Sequence, residues 1–210
     1  GIEREGPAGR RFFARSADAQ GEVRITRGVD EFRGETGRFS FDPEGEFSAA
    51  TLEGAPQAAF WLEVDAEQPS RRVDLEGQGL LTVRFEPEVA FALGGPARVR
   101  LEALGVDVRA SRAVEGSAEG DGGAGIIALS GEVEGLFEGA RFRGSELRLE
   151  ARRDHEGAVE LTATSPEPSR LEGSDVRGRP FTVESGGALD LVVREQGVSI
   201  SRARDVHLDL

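Results

Sequence analysis

The chain has 210 residues and a mass of 22.4 kDa, with a formal net charge of −13 and a sequence pI near 4.7. That length suits one large β domain with a substantial core, and that charge opposes nucleic acid, whose binding needs clustered positive charge against phosphates. Cys, Met, Lys, Asn and Tyr do not occur, so all 26 basic residues are Arg, which excludes thiol nucleophiles, thiolate metal sites, Walker-type phosphate loops and Schiff-base chemistry.

Without Met, Gly1 reads as a trimmed or processed N-terminus, and a signal or membrane anchor ahead of it is expected. Residues 1–210 are read as a single β domain, with 1–20 a candidate N-terminal extension of lower order. Along the rest of the chain the dominant pattern is period-two alternation, which puts one set of side chains on each face of a strand.

In chain order, Phe39 and Phe41 alternate with Arg38 and Ser40, and Asp42-Pro43-Glu44-Gly45-Glu46 turns the chain back toward Phe47. Residues 55–68 are the best helix candidate by propensity, yet Phe60, Leu62 and Val64 alternate, so a strand is favoured. Trp61 beside Phe60 breaks the one-face rule and marks either a rim or a side chain under a loop. Leu81, Val83 and Phe85 form a strand, Glu86-Pro87-Glu88 a turn, and Val89 and Phe91 its return. In 99–108 the apolar phase shifts between Ala103 and Leu104, and a bulge at Gly105 is predicted to absorb the extra residue.

Gly120-Asp121-Gly122-Gly123-Ala124-Gly125 matches G-x-G-x-x-G formally, but it follows a polar stretch and leads into Ile126-Ile127-Ala128-Leu129, where a dinucleotide fingerprint needs a helix, so it reads as a surface loop. Leu147, Leu149 and Ala151 alternate up to a turn at 153–157, from which Val159 and Leu161 return. Leu189 and Leu191 lead to a turn at 194–197, followed by Val198 and Ile200. Val206, Leu208 and Leu210 end the sequence on one face of a strand with no Pro or Lys to blunt its edge.

The hairpin turns fall roughly every 35 to 42 residues, the spacing of a degenerate repeat that stacks similar layers. Gly54-Ala55-Pro56, Gly94-Gly95-Pro96, residues 135–139, 166–168 and Gly186-Gly187 supply second turns, so each layer is expected to have turns at two opposite edges. His155 and His207 are the only histidines, one in a charged turn and one on a polar strand face, and the carboxylates fall on wet faces, so no catalytic group and no metal site is read from the sequence.

Residues 37–54, GRFSFDPEGEFSAATLEG, and the outline of 146–173 carry a further reading. An aromatic strand enters a D-x-x-x-G-type turn and the return closes on Leu-x-Gly; this resembles the OstA-like repeats of the periplasmic lipopolysaccharide-transport proteins, the A and C bridge components. Ala55 and Ser174 stand where that family commonly has Asn. The resemblance implies an all-β jellyroll, two sheets hinged in a V, with an apolar interior that holds acyl chains as lipid crosses the periplasm. It implies a lipid as ligand, other jellyroll components or a second copy as partners, and a membrane-anchored partner or segment; no cofactor and no nucleic acid is expected.

On that reading Phe39, Phe41, Phe47, Leu81, Val83, Phe85, Phe91, Leu147, Leu149, Val159, Leu161, Leu189, Leu191, Val198 and Ile200 line the groove, and Val206, Leu208 and Leu210 form the partner edge. On the alternative these are ordinary core residues of a closed structural or adhesive β-solenoid. Alternation fixes a face, not whether that face is covered, so both readings stay open at this point.

Overall fold

The computed structural model describes residues 2–6, 9–28, 30–62, 71–85, 89–118, 125–153, 159–175, 177–194 and 197–209. Among the described residues the regular structure is β throughout, apart from a single 3-10 turn at Glu102–Leu104. The strands are β1 (Ile2–Gly6), β2 (Gly9–Phe13), β3 (Ser16–Arg27), β4 (Asp30–Phe41), β5 (Phe47–Glu53), β6 (Gln57–Leu62), β7 (Arg71–Gly77), β8 (Leu81–Arg84), β9 (Val89–Gly94) and β10 (Ala97–Leu101). They continue as β11 (Val106–Ala110), β12 (Ala113–Ala118), β13 (Ile126–Phe137), β14 (Ala140–Arg153), β15 (Val159–Ser165), β16 (Ser169–Ser174), β17 (Pro180–Ser185), β18 (Leu189–Arg194), β19 (Gly197–Ala203) and β20 (Val206–Asp209).

β1 and β2 pair with one another, and the other strands form one large antiparallel sheet. Its pairings run in two courses. The first follows β3, β4, β5, β8, β9, β12, β13, β14, β15, β18 and β19. The second follows β3, β4, β6, β7, β10, β11, β13, β14, β16, β17 and β20.

The four long strands belong to both courses. Residues 126–130 of β13 pair with β12, and residues 133–137 pair with β11; β14 likewise gives residues 141–143 to β16 and 148–153 to β15. The change occurs at register shifts, one at Gly21 (φ +103°) in β3 and one at Gly131 (φ +99°) in β13, where a backbone open only to glycine bends the strand.

Short strands change course through loops instead. Gly54-Ala55-Pro56 joins β5 to β6, Gly95-Pro96 joins β9 to β10, residues 166–168 join β15 to β16, and Gly186-Gly187 lies between β17 and β18. In no case do the two strands pair with one another, and where they share a long neighbour (β4 or β14) they take different halves of it, so these loops are crossings between courses and not turns at an opposite edge, as expected of them. The expected layer with two rows of turns therefore has three: a hairpin row on each course and a row of crossings between them. Gly135 sits inside β13, and the reversal expected at 135–139 is confined to Glu138 and Gly139, both at positive φ.

The turn at 42–46 forms as expected, with the Asp42 amide donating to the Glu46 carbonyl at 2.8 Å. The turns expected at 86–88, 120–124, 154–157 and 195–196 lie outside the described residues, but the strands flanking each one pair. The bulge expected at Gly105 is a full reversal: Leu101 pairs with Val106, the Gly105 amide donates to the Glu102 carbonyl at 3.0 Å, and its φ of +57° closes the turn. Reversal and bulge both shift the apolar phase by one, and so the sequence alone does not tell them apart. Residues 57–62 of the helix candidate are strand β6, and residues 63–68 lie outside the described residues.

The apolar faces of the two courses are turned toward each other. Phe60 of β6 meets Phe91 of β9 at 5.0 Å between ring centroids, and Phe32 of β4 meets Phe85 edge-on at 5.7 Å. Several interior strands place a glycine beneath a large side chain. A Cβ on Gly116 would come within 2.3 Å of the Phe91 ring and one on Gly135 within 2.7 Å of Val108, so these glycines make room for the core.

Candidate binding cleft

Pairing register decides which residues of the last strands face inward. In β19, Val198 lies opposite Val193 and Ile200 opposite Leu191; in β20, Leu208 lies opposite Val183 and Val206 opposite Ser185. Val193, Leu191, Val183 and Ser185 are buried, so the β19 and β20 residues opposite them share the interior face. Yet Ile200 is 41% exposed, Val206 49% and Leu208 52%, against 1% for Leu191. These strands end the two courses, since among the described residues β19 and β20 each have a single pairing neighbour, and the stack adds no further layer there over their inward side chains.

Between these strands the interior opens into a cavity of about 1060 Å³. Leu171, Phe181, Val183, Val198, Ile200 and Leu208 give it apolar walls from both courses. Its rim is charged. Arg179 is held by Asp175 through Nε and Nη2, at 2.7 and 2.6 Å to Oδ2. The Arg177 and Arg179 backbone amides donate to the other carboxylate oxygen at 2.8 and 2.9 Å. The Arg179 backbone and side-chain hydrogen bonds hold the Asp175 carboxyl below its usual range. Arg194, also on the rim, is held by Glu160 at 2.7 Å, and Glu138 adds a further carboxylate. At the root of β20 the Ser185 hydroxyl donates to the Arg204 carbonyl at 2.7 Å, which pins the crossing between β19 and β20.

The opposite end is filled. Phe39 and Phe41 each lie about 6 Å from Phe47, at 5.9 and 6.0 Å between centroids; Phe47 lies 4.9 Å from Phe85, and Phe85 reaches Phe32 of the other course. Arg27 closes over them, donating to the Phe85 carbonyl at 3.0 Å with its guanidinium 5.6 Å from the ring centre.

Of the residues assigned to a groove, Leu81, Val83, Phe85, Phe91, Leu147, Leu149, Leu161, Leu189 and Leu191 lie in a continuous, solvent-excluded core. Phe39, Phe41 and Phe47 belong to the half-buried aromatic group. Only Val198 and Ile200 line the cavity, joined there by Leu208 from the expected partner edge; Val206 is exposed beside it. The Val159 side chain and Leu210 lie outside the described residues. Leu171 enters the sequence reading only as the Leu-x-Gly step of the second repeat outline, and Phe181 and Val183 were not singled out; these two alternate visibly, but only the β17–β20 pairing shows that they face an open end.

His207 is exposed beside Asp209 at 3.3 Å, and among the described residues no group of His, Asp or Glu is placed to hold a metal ion. The loop matching G-x-G-x-x-G lies outside the described residues except for Gly125, and a strand, not a helix, follows it. No family model, curated protein or solved structure matches the chain.

Proposed function

We propose that the chain is a non-enzymatic periplasmic carrier or bridge segment that holds acyl chains of an envelope lipid, lipopolysaccharide or a related one, between its two courses of strands. On this reading the courses are the two sheets of an OstA-like jellyroll, hinged in a V along the row of crossings. The observation that carries it is the cavity of about 1060 Å³ whose walls are interior-facing Leu171, Phe181, Val183, Val198, Ile200 and Leu208. Each methylene moved from water to such walls contributes about 0.8 kcal/mol, so even one acyl chain is held by its length alone. The bare edges of β19 and β20 offer unpaired backbone groups to a strand of a second copy, of another jellyroll or of a membrane-anchored component.

Protein purified from its own envelope, examined by native mass spectrometry and lipid extraction, tests the reading. Co-purifying lipid that is lost in an Ile200→Asp variant is the expected result; lipid-free protein with no lipid uptake overturns it.

One observation favours a second reading, a scaffold with a closed core: Leu81, Val83, Leu147 and Leu149 are at most 2% exposed, so the middle of the interior is packed shut. A scaffold predicts no lipid-displaceable fluorescence from a dye that reports apolar clefts, whereas a carrier predicts a strong signal.

A further inference from the structure

The interior is asymmetric. At the β3–β9 end, rings in contact cross from one course to the other and Arg27 sits over Phe85. Through the middle, Val108, Leu129, Phe137, Phe142 and Leu147 are at most 2% exposed. Among the described residues, the inward-facing Ile200, Val206 and Leu208 are the exposed large apolar side chains of the interior face, and Ile200 and Leu208 line the cavity.

Resting on the carrier reading above, and narrowing it from lipopolysaccharide to a smaller envelope lipid, we infer that the cleft is blind: it holds one lipid of one or two acyl chains, with a head of no net negative charge, admitted only at the β19–β20 end. Size sets the number of chains. A cavity of about 1060 Å³ is at the top of the ~300–1,000 Å³ range in which a pocket encloses a single ligand of moderate size. A lipid with four or more chains would leave most of its methylenes in water, and the aromatic crossings deny it further room.

The rim sets the head group. Both guanidiniums that line the cavity are already bound, Arg179 by Asp175 and Arg194 by Glu160, and Glu138 stands beside them. Two arginines against three carboxylates leave no surplus positive charge, on a chain whose formal charge is −13. An anionic head would have to displace a carboxylate from its arginine or lie against Glu138, and either opposes binding. A zwitterionic head has a cationic group to offer those carboxylates, and an uncharged head asks for nothing.

The test loads the full chain with Nile red, a neutral dye for apolar clefts, and displaces it with three lipids. These are a two-chain phosphatidylcholine, the phosphatidylglycerol with the same chains, and a six-chain lipid A; native mass spectrometry counts what is bound. The inference expects one phosphatidylcholine per chain, phosphatidylglycerol at least tenfold weaker, and no displacement by lipid A at the same concentration. A photoreactive group at position 200 should label the lipid, and one at position 47 should not.

Phosphatidylglycerol or lipid A binding as well as phosphatidylcholine, or labelling from position 47, overturns the inference while leaving the carrier reading standing. If no lipid class displaces the dye, the carrier reading fails and takes the inference with it. Ile200→Asp and Leu208→Asp, at exposed positions, should abolish displacement without unfolding the chain, while Leu136→Asp, equally exposed on the outer face, should not alter it.

Discussion

Arg27 and Phe85 meet twice: the guanidinium donates to the Phe85 carbonyl at 3.0 Å and lies 5.6 Å from the centre of the Phe85 ring. They come from opposite courses, 58 positions apart in the sequence, so their contact ties the outer ends of β3 and β8 across the interior. A hydrogen bond contributes about 1 kcal/mol and an exposed cation–π contact about 0.5–1 kcal/mol. Arg27→Ala is therefore expected to lower the melting temperature by roughly 3–8 °C in a chain of this size, with Arg27→Lys in between, since an ammonium keeps the charge but not the fork. A calorimetric scan of the three proteins measures it.

Residues 78–80 carry the chain from β7 on the second course to β8 on the first, and Gly79 is the tightest point of this crossing. A Cβ there would lie 1.8 Å from the Gly94 carbonyl oxygen, a backbone atom that cannot turn aside, whereas a Cβ on Gly94 would meet nothing within 4 Å. Gly79→Ala is expected to cost about 3 kcal/mol or more, and Gly94→Ala under about 1 kcal/mol. Urea midpoints for the two variants should differ accordingly, and equal midpoints would mean the crossing is looser than described.

Leu149 and Ile200 share the interior face but not its depth. Leu149 is 1% exposed and Ile200 41%. Aspartate at 149 places an unpaired charge in the packed core and is expected to unfold the chain. Aspartate at 200 is expected to leave the far-ultraviolet circular dichroism unchanged while abolishing dye and lipid uptake. A folded Leu149→Asp protein would show that the middle of the interior admits water.

The Asp107–Arg98 pair gives a pH signature. Arg98 donates to Asp107 through two nitrogens, one at 2.6 Å, and these hydrogen bonds hold the Asp107 carboxyl below its ordinary value of 3.8. A lowered native value means the contribution is complete above the unfolded value and is lost as pH falls through the native one. The difference in urea midpoint between the parent and Asp107→Asn should be constant from pH 7 down to about 4, then shrink below that. A difference that vanishes between pH 7 and 5 would assign it to another group.

The edges of β19 and β20 predict association. A variant lacking residues 206–210 and a second carrying Leu208→Pro should both lose concentration-dependent self-association in sedimentation while keeping most of their β signal. Association equal to the parent in both would place the contact elsewhere.

Strands were legible in the sequence wherever alternation was strict, as in Leu81-Val83-Phe85 and Leu189-Leu191, because a half-buried strand must alternate. Which turns reverse the chain within a course and which cross between courses was not legible, since Gly-Gly and Gly-Pro steps serve both purposes. Gly94-Gly95-Pro96 reads as a turn yet crosses between courses, and Glu102 to Gly105 reads as a bulge within a strand yet reverses the chain. The cleft was half-legible for a similar reason. Leu191 and Ile200 are equivalent by pattern and face each other across a strand pair; what separates them is the presence or absence of a further layer, a property of the stack and not of either segment.

The aromatic crossing at one end and the bare apolar faces at the other give the molecule a front and a back. Chains joined end to end through β19 and β20 would not form a continuous tube, because every junction would be followed by a wall of phenylalanine rings. Such a row would be a series of single berths, each holding its own passenger, and movement along it would be paced by how fast one berth lets go.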